Sequence, residues 1–194
     1  MPLQHKGTEE IATKRLLLRR LDVSDASAMF HNWASDPEVT RYLMWRPHDS
    51  VESTMQLLGI WEGNYAKVNT YLWGIEYVPE HKLIGTISLV DSNELCERAE
   101  IGYCLARSYW GRGIMPEALA AVIDFCFDQV GYHRLAIVHN VANPASGKVA
   151  AKVGMVQEGL LRGYAYDNST DRADCCLWSM LETDHRPWHD APDR

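Results

Sequence analysis

Apolar positions along this chain switch between two periods, and the switches divide it into elements. Arg15-Leu16-Leu17-Leu18-Arg19 is a short apolar run between arginines and predicts a first strand. Asp22 stands where a helix N-cap belongs, with Asp25 in the first turn, and Ala26, Met29, Phe30 and Trp33 recur at helical spacing. Asp36-Pro37-Glu38 starts a second helix with proline at its first position, carrying Val39, Tyr42 and Leu43. Arg46 to Asp49 is a loop. Asp49 or Ser50 then caps a longer helix striped by Val51, Met55, Leu58, Trp61 and Tyr65. That stripe reads as core rather than as a cofactor face.

The second half alternates strand and helix. Tyr71–Val78 and Leu83–Val90 read as strands joined by the short loop Pro79-Glu80-His81-Lys82, and Arg98–Leu105 as the next strand. Ile114–Val130 reads as a helix with Leu119, Val122, Ile123, Cys126 and Val130 on one side, stopped by Gly131. Leu135–Val138 is a β run. Asn143-Pro144 opens a helix that ends at Gly154. Met155–Leu161 is a strand, Tyr164–Asp171 a loop, and Ala173–Leu181 the last strand. The expected order is β-α-α-α-β-β-β-α-β-α-β-β, which a mixed sheet with helices on both faces satisfies. One domain is expected over 1–194, with its core at about 13–182 and loose tails at 1–10 and 184–194.

Tyr109 to Ala118 carries the clearest chemistry. Gly111 and Gly113 let the backbone turn tightly between a strand and a helix, and the helix start offers unpaired N–H groups and a positive dipole end. Such a loop is either an ordinary turn or a cradle for phosphate oxygens. Pro116 suits a first turn, where its missing N–H costs nothing. No Gly-Lys-Ser/Thr follows the glycines, which excludes a P-loop nucleotide hydrolase.

The net charge of −7 argues against a nucleic-acid or membrane-surface partner. It is compatible with a cationic or amine-bearing substrate, but mild acidity is common among cytosolic proteins and that plain reading comes first. No apolar run approaches membrane-spanning length and the first residues lack a signal-peptide pattern, so a cytoplasmic protein is expected. The cysteines at 96, 104, 126, 175 and 176 form no Cys-x-x-Cys and read as buried reduced thiols. His185 and His189 have helical spacing without a metalloprotease glutamate, and no metal site is expected.

Four blocks of the sequence resemble the GCN5-related N-acetyltransferase (GNAT) superfamily, and within it the RimJ/RimL branch of ribosomal-protein N-terminal acetyltransferases. They are Thr13–Asp25, Asp36–Leu43, Glu100–Tyr103 with Trp110–Gly113, and Asn143–Ser146 with Lys152–Met155. Trp110 and Met115 depart from the residues usual in the superfamily. The resemblance implies an α/β (α+β) GNAT fold: a mixed, mostly antiparallel sheet with a splay between two parallel strands and helices on both faces. It also implies acetyl-CoA as cosubstrate, bound at Leu105, Trp110, Gly111, Arg112, Gly113, Ile114, Met115, Asn143 and Ser146. The branch further implies a homodimer.

For catalysis, the resemblance points to Glu100 as the base that takes the amine proton, or else as a strand carboxylate paired with a neighbouring Arg or Lys. Ser146 matches a proton donor to the CoA sulfur, or else bonds at the first helical turn. Asn143 contacts the pantetheine, caps its helix, or both. Tyr103 and Tyr166 are acids or pocket walls. Trp33, Trp45, Trp61 and Trp73 are core, with one or two lining an acceptor groove. Arg162 and Asp174 match positions often polar in the branch and could pair structurally. The implied activity is acetyl transfer to a primary amine, either a protein N-terminus or a small molecule such as a polyamine, antibiotic or amino-acid-like amine. A non-catalytic acyl-CoA-binding module on the same fold is the alternative.

Overall fold

The computed structural model describes residues 2–168 and 172–189. Its strands are β1 (Ile11–Ala12), β2 (Leu16–Arg19), β3 (Leu72–Tyr77), β4 (Lys82–Asn93), β5 (Arg98–Leu105), β6 (Arg134–Asn140), β7 (Val156–Tyr166) and β8 (Arg172–Leu181). Its helices are α1 (Ala26–Met29), α2 (Pro37–Thr40), α3 (Val51–Asn64), α4 (Ile114–Asp124) and α5 (Pro144–Lys152). The strands form one eight-stranded sheet in the order β1-β2-β3-β4-β5-β6-β8-β7. Its one parallel pair is β5 with β6.

The caps behave as their residue types demand. Asp22 accepts the Ser24 N–H and forms a capping box with Asp25. Ser50, not Asp49, caps α3, in a box with Ser53. Asp36 accepts the Glu38 N–H, with Pro37 at the first turn of α2. The helix expected around Ala26–Trp33 is continuous but uneven: a 3-10 turn at Val23–Asp25, then α1, then a π-helical stretch at Phe30–Ala34. A second π-helical stretch, Phe125–Val130, extends α4 to Gly131, whose φ of 89° ends it.

Strand alternation separates two covered faces. Trp73, Ile87 and Tyr103 lie in one row across β3, β4 and β5. Trp73 packs edge-on against Phe125 at the end of α4, with ring centres 5.6 Å apart, so this row faces α4. Gly74, Thr86 and Cys104 form the next row and face the other way. There a Cβ on Gly74 would lie 2.5 Å from Leu21, the residue that leads into α1. Trp33, Leu58 and Trp73 are fully buried, each aliphatic or aromatic side chain of this kind contributing about 1.5–3 kcal/mol.

Several expectations are corrected. The polar lead-in is docked: Gly7 N–H bonds to the Val68 carbonyl, the Thr8 hydroxyl to the Thr70 carbonyl, and the Trp73 indole to the Glu9 carbonyl. The segment after Thr183 is also tied down as far as it is described. Arg186 bonds to Asp124 and Asp128, and the Trp188 indole bonds to Asp124. Residues 190–194 lie outside the described part. β7 continues to Tyr166, into the expected loop, because bulges between Gln157 and Gly159 and between Leu161 and Ala165 keep it paired with β8. Of the expected loop, residues 169–171 lie outside the described part. Cys96 is exposed rather than buried, and the five cysteines are free. Asp174 accepts the Gly163 N–H and forms no ion pair with Arg162 among the described residues. No described helix is long and apolar enough to cross a membrane.

Candidate active site

The parallel ladder between β5 and β6 runs through Arg98–Arg134, Ala99–Leu135 and Glu100–Ala136, and stops there. Beyond it β5 continues to Leu105 paired with β4, while β6 continues to Asn140 paired with β8. The two strands therefore part in the middle of the sheet. The open edge of β5 carries backbone groups with no ladder partner, which an extended ligand can use.

On the α4 face of this slot, the Tyr103 and Ser146 hydroxyls lie 2.9 Å apart, and the Tyr103 hydroxyl also donates to the Ser146 carbonyl at 3.2 Å. Burial pushes the Tyr103 phenol up to about 12, so it stays protonated. Ser146 sits in the first turn of α5, where the Asn143 side chain caps its N–H at 3.4 Å. Capping is thus the work of Asn143, and the Ser146 hydroxyl is turned to the slot. His139 of β6 holds α5 close. Its Nδ1–H donates to the Asn140 carbonyl and its Nε2 accepts from the Trp178 indole. A Cβ on Gly147 would lie 2.9 Å from that Nε2, so only glycine lets α5 approach this far.

Glu100 stands three residues before Tyr103 on β5 and so projects from the opposite face. It is half-buried, with no hydrogen-bond or ion-pair partner among the described residues. Arg98 bonds instead to Asp91, at 3.1 Å. Asp91 is the residue opposite Glu100 in β4, placed there by a bulge between Leu89 and Asp91. Desolvation first, and then the Asp91 charge, hold the Glu100 carboxyl above its ordinary range, with Arg98 opposing. The same face carries the half-buried Ala136 and Val138 of β6 and Leu177 of β8.

The glycine loop lies at the end of β5. Gly111 and Gly113 have φ of 75° and 72°, left-handed values that an L-residue with a Cβ resists. Space around Gly111 is open, with nothing within 4 Å of a built Cβ. Gly113 is the N-cap of α4 and leaves the first-turn N–H groups of Ile114 and Met115 without a side-chain cap. Tyr109 anchors the loop: its hydroxyl donates to Glu80 at 2.6 Å, and Arg112 stacks over its ring at 4.9 Å. The Trp110 indole donates to the Leu105 carbonyl at 2.7 Å and ties the loop to the end of β5.

Comparison with known proteins decides the family. The acetyltransferase (GNAT) domain pattern matches residues 15–156. The chain belongs to the GNAT acetyltransferase family. It is 34% identical over 160 residues to the uncharacterized N-acetyltransferase YoaA of Bacillus subtilis (strain 168), covering 82% of this chain and 90% of that protein. It is 40% identical over 83 residues to the ribosomal-protein-serine acetyltransferase of Escherichia coli (strain K12), covering 43% of this chain and 46% of that one. Its fold matches RimL, solved in complex with coenzyme A, at a TM-score of 0.80 and 24% identity, over 91% of this chain and all of RimL.

The splayed GNAT sheet is thus as the resemblance implied. Tyr103 and Ser146 come together on one face of the slot, while Glu100 stands on the other. Tyr166 does not join them, being half-exposed with Arg172 stacked on its ring at 4.9 Å. Trp33 and Trp73 are core, and Trp45 and Trp61 pack on it partly buried. Asp91, His139 and Glu80 were not anticipated, nor was the bond of Tyr109 to Glu80. Strand pairing and a distant hairpin place them, and no local pattern signals either.

Proposed function

We propose that this GNAT enzyme transfers an acetyl group from acetyl-CoA directly to a primary amine, and that the amine is a protein N-terminus. The observation that carries this reading is the slot in the sheet, with a protonated hydroxyl pair on one face and an unpaired, half-buried carboxylate on the other. The residues suit the cosubstrate. Gly111 to Met115 offer backbone N–H groups and a helix dipole to a diphosphate, with open space where a side chain would stand. The unpaired edge of β5 offers hydrogen bonds to an amide-bearing arm. Arg112 and Trp110, both exposed, border that cradle.

Acetyl-CoA supplies an activated acyl carbon and a thiolate leaving group. Glu100 takes the proton of the arriving ammonium, directly or through one water. A carboxyl held above its usual range is a better base near neutral pH. Tyr103, kept protonated by burial and bonded to the Ser146 hydroxyl, supplies the proton that the departing sulfur needs and is reprotonated by the one the nitrogen sheds as the amide forms. The name of the Escherichia coli relative supports a ribosomal-protein acceptor, and the half-exposed apolar strip beside Glu100 leaves room for an extended chain.

The test is a thiol-release assay with acetyl-CoA and peptides bearing free N-terminal serine or alanine, the same peptides blocked at the α-amine, and small polyamines. Turnover is expected with the free peptides alone, with the acetyl group mapped to the α-amine by mass spectrometry. Turnover confined to the small amines would overturn the acceptor, and release with no acceptor tested would overturn the enzyme reading.

A further inference from the structure

One conspicuous side-chain cluster is left over by this mechanism. Glu117, in the first turn of α4, receives three hydrogen bonds from the turn that precedes β2: from the Thr13 hydroxyl at 2.6 Å, the Arg15 N–H at 3.0 Å and the Arg15 Nε at 2.7 Å. Arg15 then reaches past Glu117, and its Nη1 donates to the Arg112 carbonyl at 3.1 Å. Its Nη2 lies 3.7 Å from where a Gly113 Cβ would stand. The Arg15 and Glu117 side chains are 35% and 20% exposed, so the pair is largely withdrawn from solvent.

We propose that Arg15 is a positioning residue for the diphosphate cradle: it holds the Arg112–Gly113 peptide in its anion-binding orientation and neutralises the Glu117 carboxylate beside it. The proposal rests on the reading of Gly111–Met115 as that cradle. A trans peptide is planar, with its C=O and N–H pointing in opposite directions. Fixing the Arg112 carbonyl on Arg15 therefore turns the Gly113 N–H away from Arg15. A carboxylate in the first turn complements the helix dipole, but it also repels an incoming phosphate. Bonded by both Nε and the backbone N–H of Arg15, Glu117 is turned toward β2 and its charge is balanced. An arginine suits the task because one planar fork meets a carboxylate and a carbonyl together, which a lysine cannot do.

The test separates positioning from support of the fold. Affinities for acetyl-CoA and for S-acetylpantetheine, which lacks the diphosphate and nucleotide, are measured by competition titration for wild type, Arg15→Ala, Arg15→Lys, Glu117→Gln and Arg15→Ala/Glu117→Gln. Arg15→Ala should weaken acetyl-CoA by at least about tenfold and leave S-acetylpantetheine unchanged. Arg15→Lys should fall between, and the double variant should regain part of the loss, because no unpaired carboxylate remains. A loss in Arg15→Ala equal for both ligands, or a loss for neither, would overturn the proposal. If Arg15→Ala fails to fold, the same criterion applied to Arg15→Lys decides. Equal wild-type affinity for the two ligands would instead overturn the cradle reading, and the role of Arg15 with it.

Discussion

Replacing Gly113 isolates the backbone geometry of the cradle from its side chains. Its φ is 72° and ψ 11°, and a built Cβ meets only Arg15 Nη2, at an ordinary 3.7 Å. Alanine there clashes with nothing, so its cost is that of an L-residue in the left-handed region, about 1–2 kcal/mol. The chain can absorb this in two ways. If the loop keeps its conformation, the cost appears as stability, about 2–4 °C of melting temperature for each kcal/mol in a domain of this size. If the loop swings to negative φ, the cradle N–H groups turn away and the cost appears as affinity, roughly 5–30-fold in acetyl-CoA dissociation constant for the same energy. Gly113→Val, with a stiff branched Cβ, should favour the second route and lose at least about tenfold. Calorimetric titration and thermal melts on the same samples separate the routes. Gly63 supplies the contrast. It lies in α3 at ordinary helical φ with nothing within 4 Å of a built Cβ. Gly63→Ala should stabilise by about 0.5–1 kcal/mol and leave affinity alone. A Gly113→Val protein with wild-type melting and wild-type affinity would refute the reasoning.

The acid–base assignment makes further predictions. Glu100→Gln should lower turnover by about 10²–10⁴ with acetyl-CoA affinity little changed, and near-normal turnover at every pH would show that the base lies elsewhere. Because burial and Asp91 raise the Glu100 carboxyl above 4.5, the acidic limb of the rate profile should lie above the usual carboxylate range, and Asp91→Asn should move it to lower pH. Linkage has a definite sign here. The folded state holds this proton more tightly than the unfolded chain, so Glu100 opposes folding increasingly as pH rises through its raised value. Glu100→Gln should therefore raise the melting temperature near pH 7 but not below pH 4.5, which thermal melts across pH would check. Tyr103→Phe should slow turnover by roughly 10² and Ser146→Ala by less, since water can protonate a thiolate. Changes confined to melting temperature in both variants would make the hydroxyl pair structural.

Sequence by itself determined whatever rests on neighbours along the chain. Asp22, Asp36 and Ser50 announce helix starts because a short polar side chain can satisfy an N–H only two or three residues away. Gly111 and Gly113 announce a turn because few other residues tolerate positive φ. Ser146 and Tyr103 became candidates through the family resemblance, not through any local signal. Contacts between distant segments decided the rest. The limit of the β5–β6 ladder at Glu100 depends on β5 staying paired with β4 and β6 with β8 while the two part, which no local pattern around Glu100 expresses. Opposite faces for Glu100 and Tyr103 follow from strand alternation once the strand is known, but which face meets α5 is set by the close approach of Gly147 to His139. The docking of 2–10 and 184–189 rests on backbone and indole hydrogen bonds to partners tens of residues away, so composition alone made both segments look loose. Arg15 shows the division most plainly. In the sequence it bounds a strand, and only the fold brings it across 102 positions to Glu117 and the glycine loop.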